Sequence, residues 1–363
     1  VKVEKYHSFN EVSVAVNTEK EAIDNLEDAF QTALDLEYEK DLEYGYSHLA
    51  TLSGGLDSRM NVMLANSKGY KNDLFCFSES DYLDERIAKK IARDLALKIE
   101  TISLENGHYL HDLSENVHMY NGAVSYISSA HLNSALKKLE LKKYGLIHTG
   151  QIGDGILGGF VTEVIDKKSN YRSKTMSTRF LHKVNFDKRN LEKYSSEEVF
   201  KLLNRVCNFT NCGSFAIANH QSYLVSPFMD TDFIETCLSI SPKLKVGSKI
   251  YINWIKKCHP EIAKYKWERT GFKPNANWKT EVSRYTNKLK KEYYKILNKE
   301  YKLSMNPFEY WYKNNTDLKT FYNNYYRNSI SKIQNSNLKG DFDLTFREGS
   351  FIEKSAVISV LEF

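Results

Sequence analysis

The chain has 363 residues, enough for one large domain or two ordinary ones, and 41% of them are hydrophobic, which excludes wholesale disorder. The 51 basic and 46 acidic residues leave a formal charge of +5, so the charge does not require a nucleic-acid partner. The sequence has no run of ~18 apolar residues and no apolar signal-peptide core at its start, so we expect a cytoplasmic protein without a membrane span.

The cysteines favour the same compartment. The five Cys residues are scattered and lack the CxxC spacing of a zinc or redox site. An odd and scattered set is typical of reduced core residues in a cytoplasmic protein. Cys207 and Cys212, with His220 nearby, are an alternative set of zinc ligands, although their spacing fits no usual zinc pattern.

The first predicted elements are a helix and a strand. Residues 1–9 are typical of a tail, and Asn17 and Thr18 precede acidic residues that suit the start of a helix. From Ala22 to Leu36 the apolar residues recur with helical spacing. The next segment, Ser47–Leu52, is mostly apolar and contains a β-branched Thr, which predicts a buried strand.

The stretch after this strand has the features of a phosphate-binding loop. It reads Ser53-Gly54-Gly55-Leu56-Asp57-Ser58 and leads into a helical pattern from Arg59. Glycines let the backbone approach an oxyanion, and the N–H groups at a helix start then face that anion. Asp57 is suited to hold a magnesium ion that shares the phosphate charge. The loop lacks the Lys of the GxxxxGK[ST] nucleotide loop, and a tight bend without a ligand is the alternative.

Strands and helices then alternate along the chain. The predicted elements are a strand at Asp73–Ser78, a helix from Asp84, a strand at Lys98–Leu104, a helical region at Asn106–Leu141 and a strand at Tyr144–Gly150. This alternation predicts an α/β fold in which a twisted parallel sheet has helices on both faces. Ligands of such sheets bind beyond the carboxyl ends of the strands, where Ser53 and Gly150 are expected.

From residue 166 onward strand patterns become rare. Helical patterns at Glu197–Asn208, Thr231–Leu238 and Lys249–His259 predict a helical extension packed on the sheet. Residues 281–340 are rich in Lys, Tyr and Asn, which indicates a solvated helix with tyrosines on one side. A nucleic-acid patch is the alternative interpretation of that stretch.

Several motifs resemble those of a known family. Ser53–Ser58 resembles the SGGxDS loop of the pyrophosphate-releasing ATP pyrophosphatases, a group that includes the asparagine synthetases. Thr149–Phe160, directly after a predicted strand, resembles the asparagine synthetase segment SGEGADELFGGY. Further segments resemble the D-E-R, R-x-PFLD, K-Y-L-L-R and K-x-GF motifs of that family in the same order, at Asp84–Arg86, Val225–Leu238, Lys249–Asn253 and Arg269–Phe272, with Trp278 beyond them.

This resemblance, from about residue 46 to residue 280, implies a fold and a division of the chain. The implied fold is of the adenine nucleotide α-hydrolase-like (HUP) type. Residues 1–45 would then be an N-terminal tail and helix, and residues 46–165 the ATP pyrophosphatase core. Residues 166–363 would be a mostly helical extension that contributes to the acceptor site.

The resemblance also implies the chemistry and the site. Enzymes of this family attach AMP from ATP to a substrate carboxylate, release pyrophosphate, and let an amine attack the acyl-adenylate. Backbone donors and Mg²⁺ hold the phosphates while charge builds on the leaving group. Asp57 and Asp154 are the expected Mg²⁺ ligands, and a capping role after Gly153 is the alternative for Asp154. The residues expected to bind ATP are Leu52, Ser53, Gly54, Gly55, Asp57, Ser58, Phe77, Thr149 and Gly150.

The chain departs from the family pattern in the half that binds the acceptor. The Glu of SGEG is Gln151 here, and the Glu that follows Asp154 in the family is Gly155. The Lys of K-x-GF is Arg269, which keeps a positive charge but cannot act as a general acid or base. Arg269, Lys249 and Gln151 are the expected catalytic residues. These departures make free aspartate a poor candidate for the substrate.

The source of ammonia is a further expectation. Relatives of this type carry an N-terminal glutaminase domain that begins with a nucleophilic Cys. Here only about 45 residues precede the first strand, and residue 2 is Lys. Three explanations are therefore expected: a glutaminase domain was cleaved or trimmed from this chain, a partner supplies it, or the amine belongs to the substrate and no glutaminase is used.

One main hypothesis and two alternatives follow. The main hypothesis is an ATP-dependent amide-forming ligase that acts on a larger carboxylate. That carboxylate is either a sugar acid or a peptide side chain closed into a macrolactam, as in the β-lactam synthetases and lasso-peptide cyclases that the chain also resembles. The first alternative is another enzyme of the pyrophosphatase class, such as a tRNA-modifying one, although no basic arm favours it. The second is a nucleotide-sensing module with a decayed acceptor site.

Overall fold

Five parallel strands form the centre of the molecule. The computed structural model describes residue 2 and residues 4–161, 177–183, 193–274 and 304–363, with the backbone alone at residue 181 and residues 205–212. The strands are β1 (Ser47–Thr51), β2 (Asn72–Ser78), β3 (Ile99–Ser103), β4 (Tyr144–His148) and β5 (Tyr223–Val225). They pair in the order β3-β2-β1-β4-β5, all parallel. From β1 the chain adds β2 and β3 on one side, and it then adds β4 and β5 on the other side of β1. This switch in strand order creates a crevice at the carboxyl ends of β1 and β4.

Helices surround the sheet. Those before β4 are α1 (Glu19–Glu43), α2 (Leu56–Ser67), α3 (Leu83–Asp94), α4 (Leu113–Met119) and α5 (Ala130–Leu136). Those described beyond β4 are α6 (Glu197–Lys201), α7 (Cys207–Ala218), α8 (Thr231–Ser239), α9 (Pro242–Lys245), α10 (Lys249–Cys258), α11 (Phe308–Asn314), α12 (Thr316–Ser329), α13 (Ser336–Glu348) and α14 (Phe351–Glu362). In the part of the chain that the structure describes, no helix has the length and apolar character needed to cross a membrane.

Alternating side chains along the strands build a core on both faces of the sheet. Ala50 of β1 belongs to the core that contains Leu26 and Phe30 of α1. Its neighbour Leu49 belongs to a second core with Leu136 of α5. Because successive side chains of a strand point to opposite faces, one strand contributes to both cores. The predicted α/β fold, a parallel sheet with helices on both faces and further helices after it, is confirmed.

The C-terminal helices pack around a core of their own. Trp311, Tyr322 and Tyr326 are buried in it, and the Oη atoms of Tyr322 and Tyr126 lie 2.5 Å apart. The described part of the tyrosine-rich stretch is helical, with tyrosines on one side, as expected. That side is packed and not solvated, because the tyrosine rings supply apolar area to this core. Residues 281–303 of the same stretch lie outside the described residues.

Glu79, just beyond β2, joins the C-terminal core to the sheet. Its Oε2 accepts a hydrogen bond of 2.9 Å from Trp311 Nε1. Its backbone N–H donates to the Met305 carbonyl, also at 2.9 Å. These two bonds hold Met305 beside the carboxyl end of β2, where the cavity described below begins.

The structure also divides a region that the sequence predicted as continuous. The helical region expected at Asn106–Leu141 is broken into α4 and α5 by short irregular segments. Asn106, Gly107, Asn121 and Gly122 all have positive φ there, a conformation that interrupts a right-handed helix. The short strand β5 was not predicted, because three residues are too few to show a strand pattern.

Candidate functional site

The turn after β1 places the predicted phosphate-binding loop at the crevice. Helix α2 begins at Leu56 and not at Arg59, so Asp57 and Ser58 lie in its first turn. Gly55 is the N-cap residue and provides no side-chain cap. The first N–H groups of the helix therefore have no capping side chain at this position, and an anion bound here would accept their hydrogen bonds.

Hydrogen bonds hold the loop in shape. The Ser53 N–H donates to Ser58 Oγ, and the Gly55 N–H donates to Ser53 Oγ, each at 3.1 Å. The Gly54 N–H donates to Asp84 Oδ1, also at 3.1 Å. Asp84 is the first residue of the D-E-R motif, and burial raises the pKa of its carboxyl group. The structure therefore gives this motif a role in supporting the loop, which the sequence did not indicate.

A buried arginine fixes the loop to a distant segment. Arg59 is fully buried, and its Nη2 donates to the carbonyls of Gly54 at 2.9 Å and Lys266 at 2.6 Å. Its Nη1 donates to the Ile262 carbonyl at 3.2 Å, and burial lowers the pKa of the guanidinium to about 10. A planar guanidinium can reach several carbonyls at once. From the sequence, Arg59 marked only a helical pattern, and this role was not predicted.

Two glycines allow the second motif to contact the first. A Cβ atom on Gly150 would lie 2.3 Å from Ser58 N, and one on Gly153 would lie 2.7 Å from Asp57 Cγ. Any larger residue would force the two loops apart, since packed interiors have no room for such an overlap. As a result, the Asp154 N–H donates to Asp57 Oδ2 at 2.9 Å. The two motifs that carry the family resemblance thus meet in space.

Asp57 is the centre of the electrostatics of this site. Its Oδ1 accepts a hydrogen bond of 2.8 Å from the hydroxyl of Tyr251, which is itself buried. Burial and the nearby Asp154 carboxylate raise the pKa of Asp57. Carboxylate oxygens are the ligands that Mg²⁺ prefers, and a cation would relieve the unbalanced negative charge that raises this pKa. The donor set of Asp57 and Asp154 therefore fits Mg²⁺.

Glu268 adds a further carboxylate beside the loop. Its backbone N–H donates to the Gly54 carbonyl at 3.3 Å, and its Oε2 is buried without a hydrogen-bond partner in the described structure. Burial, with the Asp84 carboxylate, raises the pKa of Glu268 to about 7. The carboxyl groups around the loop (Asp57, Asp84, Asp154 and Glu268) thus outnumber the one buried cation described there, Arg59. This balance favours a phosphate ligand that arrives with a divalent cation over a bare anion.

A cavity of about 350 Å³ extends from the loop across the ends of β2, β1 and β4. The predicted site residues that line it are Leu52, Ser53, Gly55, Asp57, Ser58, Phe77, Thr149, Gly150, Gln151 and Asp154. Gly54 does not line the cavity, because it packs against Glu268 and Asp84. Known small-molecule sites have volumes of roughly 300–1,000 Å³, so this cavity is within the range for a ligand site.

Two of the expected catalytic residues lie outside this cavity. Arg269 is exposed, and its guanidinium carbon lies 5.5 Å from the centroid of the Trp267 ring. Lys249 is exposed at the first residue of α10. The Trp278 of the sequence pattern lies outside the described residues. The structure therefore brings Gln151 to the cavity between the two motif loops but does not bring Arg269 or Lys249 there.

The alternative zinc set lies partly outside the described residues. The side chains of Cys207 and Cys212 lie outside them, and His220 Nε2 lies 2.9 Å from Asn133 Oδ1. Within the described residues, metal-ligand spacing occurs instead at the buried group Asp41, His48 and His148.

Hydrogen bonds account for the geometry of this buried group. Asp41 Oδ2 lies 3.1 Å from His48 Nδ1 and 2.9 Å from His148 Nε2. The Leu146 N–H donates to Asp41 Oδ1 at 3.0 Å. The group connects the end of α1 to β1 and to the end of β4, directly before Thr149, and we assign it a structural role.

Comparison with known proteins agrees with these motifs. Residues 25–211 match the family model described as asparagine synthase, which is more than half of the 363-residue chain. The matched region contains α1 from residue 25 onward, the strands β1 to β4 and both motif loops. A comparison with curated proteins gave no match.

Proposed function

The chain belongs to the asparagine synthase family of ATP-dependent amide-forming ligases, and we propose that it adenylates a substrate carboxylate, releases pyrophosphate and transfers the acyl group to ammonia or an amine. The observation that carries this proposal is the hydrogen bond between the Asp154 N–H and Asp57 Oδ2. That contact brings both motif loops to one cavity, where a nucleotide and an acceptor carboxylate can meet.

The residues of the first loop suit the first step of this reaction. The N–H groups at the start of α2 and the hydroxyls of Ser53 and Ser58, which line the cavity, are proposed to bind the β,γ-phosphates of ATP. Asp57 and Asp154 would hold Mg²⁺, which supplies positive charge to the departing pyrophosphate. Gly150 and Gly153 maintain the distance between the two loops on which that arrangement depends.

Arg269 is proposed to stabilise the departing pyrophosphate. Lys249 and Gln151 are the further catalytic residues of this proposal, and of the three only Gln151 lines the cavity. Arg269 follows Glu268, whose backbone N–H donates to the Gly54 carbonyl, so it is attached at the rim of the loop. Arg269→Ala should lower kcat more than it lowers ATP affinity, because the positive charge matters most as the phosphates depart. Equal losses in kcat and in ATP affinity would make Arg269 a binding residue only.

The acceptor is proposed to be a sugar acid or a peptide carboxylate. Gln151 and Gly155 are uncharged where the family motif has Glu, so this segment lacks carboxylates suited to the ammonium group of a free amino acid. A glutaminase domain or subunit, or an amine of the substrate, would supply the nitrogen. The thiols of Cys76, Cys237 and Cys258 form no disulfides, which suits the reducing cytoplasm.

The proposal is tested by pyrophosphate release from ATP and Mg²⁺ in the presence of lysate fractions enriched in sugar acids or in peptides. Release that depends on one fraction would identify the class of acceptor. Asp57→Asn and Asp154→Asn should abolish release and leave the unfolding midpoint nearly unchanged, whereas Asp94→Asn, an exposed control, should be fully active. Full activity of either site variant would contradict the Mg²⁺ assignment. ATP binding without release in any fraction would favour the nucleotide-sensing alternative, which rests on Gln151 and Gly155.

A further inference from the structure

The cavity has two chemically different ends. The end beside α2 contains the hydroxyls and carboxylates of the two motif loops. The opposite end, at β2, is apolar and aromatic, and it is formed by Phe75, Cys76, Phe77, His131 and Met305. If the phosphates bind at the first end, the flat and largely apolar base of the nucleotide is left for the second.

His131, in the first turn of α5, is the polar side chain at this second end. Its ring centroid lies 5.4 Å from that of Phe77 and 6.3 Å from that of Tyr109. The His131 Nδ1 atom is buried, and the Ile127 backbone acts on the imidazole from within the protein. The other ring nitrogen, Nε2, has no hydrogen-bond partner in the described structure, and His131 lines the cavity. Nε2 is therefore available to a partner that enters the cavity.

The protonation state of His131 restricts what this partner can be. Burial lowers the pKa of the imidazole to about 4, with the Ile127 backbone acting in the opposite direction. His131 is therefore neutral at physiological pH, and a neutral imidazole has one N–H donor and one acceptor nitrogen. A group that carries N–H donors and lies in the plane of an aromatic ring would satisfy the acceptor.

The family resemblance implies that the base lies against backbone groups at Leu52, Phe77 and Thr149–Gly150, and some of these groups are engaged within the protein. The Leu52 N–H donates to the Phe75 carbonyl at 2.9 Å. The Thr149 N–H donates to the Val225 carbonyl at 2.9 Å, and the Thr149 carbonyl accepts from Asn61 Nδ2 at 2.8 Å. Fewer backbone groups are thus left to read the edge of the base, and a side chain can add to them.

We propose that His131 is a specificity-determining residue of the nucleotide site, which accepts a hydrogen bond from the exocyclic amino group of adenine. This inference rests on the proposed function, since it names the base that the ligase recognises. Guanine presents a carbonyl oxygen at the corresponding position of its ring, and that oxygen cannot donate to the imidazole. Purine riboside triphosphate has no group there at all.

The test is calorimetric measurement of the Kd of ATP, GTP and purine riboside triphosphate, each with Mg²⁺, for the full chain. The wild-type protein should bind ATP about tenfold more tightly than purine riboside triphosphate, the value of one good hydrogen bond. His131→Leu keeps the apolar volume and should reduce this ratio to about one. His131→Gln keeps a polar end and should retain part of the preference. His118→Leu, at an exposed histidine away from the cavity, should behave as the wild type.

The outcomes separate this inference from the proposed function. If the wild-type protein binds ATP and His131→Leu keeps the full preference, the role of His131 is overturned while the ligase proposal stands. That role is also overturned if His131→Leu and His131→Gln weaken both nucleotides equally with an unchanged unfolding midpoint. If the wild-type protein binds no nucleotide, both the role of His131 and the ligase proposal fail.

Discussion

The hydroxyl of Tyr251 donates a hydrogen bond of 2.8 Å to Oδ1 of Asp57, although the two residues are 194 positions apart in the chain. Tyr251 is 1% exposed, so this bond is shielded from water. Asp57 Oδ2 accepts from the Asp154 N–H at the same time. The orientation of the proposed Mg²⁺ ligand is therefore fixed from both sides, by α10 and by the second motif.

Tyr251→Phe should slow catalysis as well as lower stability. The substitution keeps the ring packed against Phe228 and Trp254 and removes one hydrogen bond to a carboxylate, worth roughly 1.5–3 kcal/mol. We expect kcat for pyrophosphate release to fall about tenfold. Tyr326→Phe removes a hydrogen bond between tyrosine and Asp343 in the C-terminal core and is the matched control. If kcat is unchanged in Tyr251→Phe, Asp57 does not need this support.

Gly153→Ala should separate the two motif loops. The new Cβ would lie 2.7 Å from Asp57 Cγ, and overpacking of this kind lowers the free energy of unfolding by roughly 1–3 kcal/mol. We expect both a lower urea midpoint and the loss of pyrophosphate release. Gly340→Ala is the control, since nothing lies within 4 Å of its added methyl group in helix α13. That variant should gain about 1 kcal/mol, and full activity of Gly153→Ala would show that the loops tolerate separation.

Arg59→Lys should destabilise the loop despite keeping the charge. A single ammonium group cannot reach the carbonyls of Gly54, Ile262 and Lys266 together, and each hydrogen bond lost from a charged group costs roughly 1.5–3 kcal/mol. We expect the free energy of unfolding in urea to fall by about 3 kcal/mol and ATP binding to weaken. Arg93→Lys, on the exposed surface of α3, is the control and should change stability little. Equal stability of the two variants would contradict the role given to Arg59.

Glu27 should make the fold sensitive to acid. Burial alone would raise its pKa, but hydrogen bonds from His259, Gln31 and Trp254 outweigh that effect and lower the pKa from 4.5 to about 2. A carboxylate whose pKa is lower in the folded state than in the unfolded state stabilises the fold at pH values above the unfolded pKa, here 4.5. This stabilisation is lost as the pH falls from 4.5 towards 2. His259 Nε2 and Trp254 Nε1 each lie 2.7 Å from Glu27 Oε2. These hydrogen bonds connect α1 to the C-terminal part of α10.

The measurement is the urea midpoint between pH 6 and pH 3. Glu27→Gln should be less stable than the wild type at pH 6, and the difference should shrink as the pH falls below 4.5. Glu39→Gln, an exposed change on the same helix, should follow the wild-type curve throughout. A constant difference between Glu27→Gln and the wild type across this range would mean that the ionisation of Glu27 is not what stabilises the contact.

The sequence by itself determined the parallel sheet and the position of the first loop. The alternation of strand and helix patterns requires crossover connections, and these make a parallel sheet with ligands at its carboxyl edge. The run from Ser53 to Ser58 is local, so its glycines and its helix start could be recognised without knowledge of the rest of the chain. The meeting of Asp57 with Asp154 could also be expected, since both follow strands that end at the same edge.

Only the tertiary structure decided what surrounds those loops. Arg59 bonds to the Lys266 carbonyl 207 positions away, and Tyr251 reaches Asp57 across 194. No periodic pattern encodes such contacts, because each depends on how separate elements pack together. The sequence held one signal for Tyr251, a polar group at a Leu position of the K-Y-L-L-R motif, but it gave no indication of which residue that group would contact. His131 was hidden for the same reason, since its position at the cavity depends on the break between α4 and α5 and on the packing of the C-terminal core.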